Sequence, residues 1–368
     1  MRIEEGRIRL TEYSGNLIHA CRKAAFDGAV LFTPDGVGNY DALWIRDFGY
    51  MVEYCADLMD LNEIRGCIEY AISGQRGDGW MPDRMEGGGD AVYAAGAKGF
   101  PVGKANLDNT PFLVFAVYFF LQRVPERDSE QCFLLWKDAL DRGMACIPMG
   151  DDGLVWNDPA EPHSPYGFTD TVCKTGRLFM ESLLYWRACA MLSELHGMFG
   201  DASQQLKYAE CSDMIRCSIH ALFDRASGTF MAADGDCRQT DVWGMLYALA
   251  VDFPLDPHVQ NAVESWLLDN RERYLYRGQV CQLPDGEPWE KLLIDVPTGE
   301  YQNGAYWATA SGWALRFFFR KDPEYAEKLL DDLLNDFETE GICECINEGY
   351  RKLPQFVVSA ANARGGLL

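Results

Sequence analysis

Six stretches of the sequence concentrate carboxylates, amides and aromatic rings: YDALWIRD (residues 40–47), GWMPDRMEGGGDAVYAAGAKGFPVGKANLDNTPF (79–112), VWNDPAEPHSPYGFTDTVCKTG (155–176), DCRQTDVW (236–243), TGEYQNGAYW (298–307) and GICECINEGYRKLPQ (341–355). Histidine is scarce, with five in the chain. Aromatic planes beside amides and carboxylates suit a neutral polyhydroxylated ligand, because rings cover the apolar C–H face of a sugar while polar groups take its hydroxyls. The expected ligand is a carbohydrate. Breaking a glycosidic bond takes two carboxyl groups, one protonated to donate to the leaving oxygen and one ionised to act on water or on the anomeric carbon. Two stretches offer candidates: Asp158 and Asp170 in one, Glu344 and Glu348 in another. Each also has a plain structural use. Asp170 stands where a helix cap would, Asp158 precedes Pro159 as turn formers do, and Glu348 beside Gly349 suits a hairpin turn.

The elements that must position these groups are helices. Hydrophobic periodicity predicts twelve, near 12–27, 47–60, 61–73, 110–122, 128–146, 172–196, 203–221, 240–251, 256–269, 304–319, 322–338 and 354–366, with strand-like alternation sparse. The odd-numbered helices are amphipathic: DPEYAEKLLDDLLNDF opens with Asp322 as N-cap and Pro323 at the first helical position, then sets Tyr325, Leu329, Leu330 and Leu333 on one stripe. The later even-numbered ones, such as LFMESLLYWRACAML (178–192) and VWGMLYALAV (242–251), are apolar nearly all round and must be enclosed by others. Six such alternations describe an all-α (α/α)6 toroid, an inner ring of even helices wrapped by an outer ring of odd ones. No linker or low-complexity stretch interrupts it, so residues 1–368 read as one domain. Parallel inner helices present their N-terminal ends at one mouth, and all six chemically rich stretches lead into inner helices. Loops of that length in a compact domain are usually functional.

Composition narrows the partners. Lys and Arg number 33 against 56 Asp and Glu, a net charge of −23, so nucleic acid and anionic membrane surfaces are repelled over most of the exterior. The longest apolar run, PFLVFAVYFFL (111–121), falls short of the ~20 residues that span a bilayer. The start, MRIEEGRIRLTEYSGN, lacks the apolar core of a signal peptide, and thirteen scattered cysteines suggest a reducing, cytoplasmic compartment. Beyond Cys343-Glu344-Cys345 the His and Cys residues show no paired ligand spacing, so neither a metal nor a cofactor is expected. GAKGFPVGKA has the wrong spacing for a phosphate loop, with Ala105 where Ser or Thr is needed.

LWIRD, DNTPF, GFTDTVCKTGRLFMES, YQNGAYW and CECINEG, in this order and spread over nearly the whole chain, resemble the (α/α)6 clan of inverting glycoside hydrolases, which includes the glucoamylase, trehalase, processing glucosidase and alkaline/neutral invertase families. TDTVCKTGRLFMESLLYW is most similar to the invertases, where an Asp, a Gly and a Glu at the spacing of Asp170, Gly176 and Glu181 mark the acid-bearing inner helix. The resemblance implies Asp170 as general acid, with Asp158 its rival. It implies a Glu shortly before the last inner helix as base: Glu344, followed by Asn347, with Glu348 its rival. It further implies that the Arg46–Asp47 pair behind Trp44 grips hydroxyls of a terminal sugar. An exo-acting, inverting hydrolase of a short substrate follows as the expectation.

Tyr301, Gln302, Asn303 and Trp307 precede or open the tenth helix and have the types of an aromatic platform with amide hydrogen bonds. Asn109 and Asp241 stand at equivalent positions and are also natural caps. The GGG at 87–89 is expected to form a mobile loop over the mouth. Other chemistries leave different signatures. A phosphorylase would need a phosphate pocket, for which Arg351 and Lys352 are placed. An epimerase would need mouth histidines, for which only His163 is placed. A uronate-specific enzyme would need basic residues near the acid, and a carbohydrate-binding protein would have kept the mouth but lost the base. Oligomeric state is left open.

Overall fold

A computed structural model describes residues 3–368. Twelve helices form its frame: α1 (Ile3–Ala20), α2 (Ile45–Cys55), α3 (Leu61–Ser73), α4 (Asn109–Leu121), α5 (Glu126–Ala145), α6 (Phe179–Met198), α7 (Ala202–Ser218), α8 (Val242–Ala250), α9 (Pro257–Asp269), α10 (Ser311–Lys321), α11 (Pro323–Glu340) and α12 (Val357–Gly365). Local chemistry sets many of the starts. Asp60, Asp201, Asp241, Asp256 and Asp322 each accept a backbone N–H of the first turn, and Pro257 and Pro323 follow two of these caps.

Each even-numbered helix packs against the next, and α12 packs back on α2, which closes an inner ring of six. The rest of the frame lies outside it, with α7 against α6, α11 against α10, and α1 against α12. Burial follows this division: α4 buries every residue from Asn109 to Val117, whereas α7 buries only Tyr208 and Ile215. The ring is no open channel. Tyr50, Phe112, Tyr166, Phe168, Trp243, Trp307 and Trp313 fill it with edge-on and tilted contacts, such as Tyr50–Phe112 at 4.8 Å and Phe168–Trp307 at 5.6 Å. Among the described residues no helix is long and apolar enough to cross a membrane.

The mouth differs from the expectation of sparse strands. A five-stranded antiparallel sheet runs in the order Leu275–Tyr276, Gln279–Cys281, Tyr306–Trp307, Cys343–Asn347, Tyr350–Pro354. Three predicted helix starts therefore move. The tenth begins at Ser311 rather than 304, because Tyr306 and Trp307 pair with Ile346 and Val280. The sixth begins at Phe179 rather than 172, because Gly176–Arg177 pairs with Trp156–Asn157. The twelfth begins at Val357, after the sheet's last strand. The first helix spans Ile3–Ala20 rather than 12–27, and residues 22–32 form a hairpin whose turn uses Gly28 at φ 85° and the Asp27 carboxylate, which accepts from Ala29 N.

Candidate active site

The rich loops enclose a cavity of about 780 Å³ at the N-terminal end of the inner ring. Trp44, Arg46, Asp47, Asp170, Tyr301 and Glu344 all line it, together with Tyr40, Arg84, Phe168 and Phe356, which the sequence reading did not single out. Phe168 forms part of its floor and rests on Trp307.

On one side stands Asp170, at the end of a single 3₁₀ turn (Gly167–Thr169). Its Oδ1 accepts from Gln302 Nε2 at 2.9 Å, and among the described residues no other hydrogen bond reaches its side chain. Beneath the turn lies Arg46, buried between Asp108 (Nε to Oδ2, 3.0 Å) and Asp83. Asp108 Oδ2 also accepts from Gly167 N at 2.8 Å, tying turn and guanidinium to one carboxylate. Glycine is required at 167, because a Cβ there would overlap the Arg46 side chain. Burial pushes the Asp170 carboxyl up to about 7; the Arg46 cation opposes the shift, and the Asp83 and Asp108 anions reinforce it.

Asp47, in the first turn of α2, also faces the cavity, and among the described residues no hydrogen bond from another residue reaches its carboxyl group. Burial pushes it up to about 8, against the pull of Arg46.

Glu344 stands in the strand Cys343–Asn347 on the cavity wall. Its Oε1 accepts from the Tyr40 hydroxyl at 2.8 Å and its Oε2 from Lys352 Nζ at 2.7 Å. Lys352 also donates to Tyr40 at 3.0 Å and lies 3.5 Å from the Tyr301 ring centroid. Tyr40 is placed by Asp35, whose carboxylate accepts from the backbone N–H of Val37, Asn39 and Tyr40 at 3.0, 3.0 and 2.7 Å and so curls the loop ahead of α2. Burial raises the Glu344 carboxyl above its ordinary value, while the Lys352 ammonium and the Tyr40 hydroxyl favour the anion.

Other expected site residues stand behind the wall. Gln302 serves Asp170 and is otherwise committed to Thr171 and Gly167. Asn303 joins Trp289 N to Val296 O, and Trp307 is fully buried with Nε1 donating to Tyr301 O. Asn109 donates to Met81 O and Tyr93 O, and Asp241 caps α8 through Gly244 N. None of the five lines the cavity, and each makes hydrogen bonds within the protein that hold neighbouring loops or helix starts, with Asn109 Oδ1 left without a partner among the described residues. Asp158 sits in a turn, accepting from Ala160 N, and Glu348 is exposed at a hairpin tip; neither lines the cavity. Arg46 lines the cavity and also braces the Asp170 turn, with two of its three nitrogens spent on Asp83 and Asp108.

The glycine-rich stretch is a tight rim turn rather than a long flap: Gly89 N bonds to Glu86 O, Phe26 N bonds to Gly87 O, and Gly87 and Gly88 line the cavity. His163 is elsewhere, stacked on Trp80 at 5.0 Å in a neighbouring cavity with Nδ1 on Ala105 O. Arg351 pairs with Asp336 at 2.7 Å and Lys352 with Glu344, so neither cation stands open for phosphate.

What sequence reasoning missed had weak signals. Tyr40 lies four residues before Trp44 in a stretch already singled out, but its partner Glu344 is 304 residues away. Lys352 reads from the sequence only as a possible phosphate ligand.

No protein-family model and no curated protein sequence matches this chain. Solved structures do. A GH63 mannosylglycerate hydrolase from Thermus thermophilus, in complex with glucose, superposes with a TM-score of 0.68 at 16% identity, over 97% of this chain and 99% of that one. A glucoamylase from Saccharomycopsis fibuligera gives 0.67 at 13% identity, over 100% and 95%. A rhamnosidase from Klebsiella oxytoca with rhamnose bound gives 0.66 at 12% identity, over 97% and 63%. The likeness at these identities is one of fold: this chain has the (α/α)6 toroid of the six-hairpin glycosidases.

Proposed function

We propose that the chain hydrolyses the glycosidic bond of a terminal or small sugar by a single displacement, with Asp170 as general acid and Glu344 as general base. The observation that carries this reading is that two carboxyls line one cavity in contrasting electrostatic settings. Asp170, raised to about 7, keeps its proton near neutrality, whereas Glu344 is paired with an ammonium. Pairs of carboxyls with environments that separate their proton affinities are the pattern of acid and base partners. Asp170 Oδ2 would protonate the leaving oxygen, and Glu344 would take a proton from water as its oxygen attacks the opposite face of the anomeric carbon. The products are the alcohol and a hemiacetal of inverted configuration.

The aromatic filling of the ring supports attack on a chain end, because it closes the cavity floor. Asp47, with an uncommitted carboxyl, is the candidate for sugar hydroxyls, and Trp44 and Tyr301 offer ring faces, although Lys352 already covers one face of Tyr301. The thirteen free thiols fit a reducing, cytoplasmic compartment. A glycoside panel followed by anomer-resolved NMR tests the reading. Release of sugar by the wild type and its loss in Asp170→Asn support it; binding without turnover across the panel would replace it with a carbohydrate-binding role.

A further inference from the structure

Three buried carboxyls, Asp47, Asp170 and Glu344, share one cavity. Like charges at close quarters in a desolvated site do not all ionise together, so protons must be shared out among them. The titratable groups around Glu344 are Tyr40 and Asp35 from the loop ahead of α2, Asp47 from α2, Asp170 from the loop ahead of α6, Tyr301 from the loop ahead of α10, Lys352 from the neighbouring strand, and Cys345 and Tyr350 on the same hairpin. Lys352 supplies the positive charge on the Glu344 side, as Arg46 does on the Asp170 side. Arg46 is already offset by the carboxylates of Asp83 and Asp108, whereas among the described residues the Lys352 ammonium meets a single carboxylate, Glu344.

The backbone is bent to bring it there. In the antiparallel pair Cys345 faces Lys352 and Cys343 faces Pro354, which sets Glu344 opposite Leu353 and would turn Lys352 to the other face. Leu353 instead adopts φ 45°, which breaks the alternation, and Tyr301, whose ring lies under the ammonium, adopts φ 44°. Left-handed conformations at bulky residues are uncommon and cluster where a site demands them. Two of them flank this one lysine.

We propose that Lys352 is a positioning residue that decides which carboxyls carry protons: its ammonium holds Glu344 as the anion that accepts from water, and leaves the protons to Asp47 and Asp170. The naming of acid and base rests on the glycosidase reading; the placement of the proton does not. Lys352 acts through Glu344: it bonds the base and, in this scheme, touches neither the sugar nor the attacking water.

The test joins two readouts. In protein carrying ¹³C-labelled glutamate carboxyls, with the Glu344 signal assigned by its absence in Glu344→Gln, Glu344 is expected to titrate at least one pH unit higher in Lys352→Met than in the wild type. Lys352→Arg is expected to restore the wild-type midpoint. With a turned-over glycoside, the acidic limb of kcat/KM moves up by a similar amount in Lys352→Met, while the alkaline limb set by Asp170 stays. If Lys352→Met fails to fold, Lys352→Gln, which keeps a hydrogen-bond donor and loses the charge, is held to the same shift. An unchanged Glu344 midpoint, or an even loss of rate at every pH, overturns the proposal and leaves Lys352 a structural residue. If no glycoside is cleaved, the hydrolase reading fails while the titration still decides the role of Lys352.

Discussion

Gln302 holds Asp170 by one edge: Nε2 donates to Asp170 Oδ1 at 2.9 Å, and the amide cannot turn over because Oε1 accepts from both the backbone N and the hydroxyl of Thr171, each at 2.8 Å. A second donation from Nε2 to Gly167 O, at 3.1 Å, ties the same side chain to the start of the turn that carries the acid. The carboxyl is oriented with one oxygen anchored and the other available to a leaving group. An amide expected to touch sugar bonds the proposed acid.

Gln302→Ala should therefore lower kcat at least tenfold with little change in KM, since it frees the Asp170 rotamer without removing a ligand contact. It also strands Thr171 N–H in the interior, at a cost of about 1–3 kcal/mol. Steady-state kinetics and urea unfolding check both; a change confined to KM would return Gln302 to the substrate-binding set.

Asp170→Asn and Glu344→Gln should each reduce turnover by about 10²–10⁴-fold or more, the range that a general acid or base contributes. Circular dichroism should show the native helical content in both. Activity near the wild-type level in either variant would remove that residue from the chemistry and reopen Asp47 as its replacement.

Asp170 should cost stability while serving catalysis. A carboxyl bound to its proton more tightly in the native state than in the unfolded chain makes folding less favourable as pH rises from its ordinary 3.8 through about 7. Each pK unit is worth about 1.4 kcal/mol. Asp170→Asn, which keeps the Gln302 hydrogen bond and cannot ionise, should melt higher than the wild type at pH 8, and the gap should close towards pH 4. Equal melting differences at both pH values would show that Asp170 is not a desolvated carboxyl.

Arg46 separates brace from clamp. Arg46→Met leaves Asp108 buried without a cation and Asp83 with Arg84 alone, and breaking a buried pair in this way costs about 3–5 kcal/mol. The expected outcome is a large fall in the midpoint of chemical unfolding. A stable variant with only a raised KM would make Arg46 a substrate ligand first. Gly167→Ala should behave similarly, since its methyl group meets the same guanidinium.

The stereochemistry of the product distinguishes two uses of the same carboxyls. An inverting hydrolase, with its carboxyls about 6.5–9.5 Å apart, releases the opposite anomer first, visible by ¹H NMR before mutarotation. Release of the retained anomer would recast Glu344 as a nucleophile. The rate should be indifferent to added phosphate, because Arg351 and Lys352 are both paired; phosphate-dependent release of a sugar phosphate would instead identify a phosphorylase.

Twelve helices and their alternation were legible from one-dimensional patterns, although the first was expected near 12–27 and spans Ile3–Ala20. Capping aspartates, prolines at first turns and apolar stripes report local free energies, and these are the terms that a window of residues contains. The starts of the sixth and tenth helices were misplaced for the complementary reason. VCKTG and NGAYW are apolar and polar in an order that a helix tolerates, and they are strands and turns because partners far along the chain offer hydrogen bonds, Leu292 and Lys291 to the first and Ile346 to the second.

The same division runs through the site. Composition and loop chemistry indicated that acids, amides and aromatics gather at the mouth of the inner ring, and the resemblance to the six-hairpin glycosidases singled out Asp170, Glu344 and the Arg46–Asp47 pair behind Trp44 among its residues. They could not say which amide faces the cavity and which faces a carbonyl, so Asn109, Asp241, Asn303 and Gln302 were indistinguishable from ligand contacts. That depends on contacts such as Gln302 with Asp170, 132 residues apart, and Tyr40 with Glu344, 304 apart. Only closure of the ring, α12 against α2, brings the first loop and the last strand to the same cavity. Burial then sets the charges: an aspartate becomes a candidate acid at neutral pH because the surrounding fold removes its water, and a glutamate becomes a candidate base because the fold places Lys352 beside it.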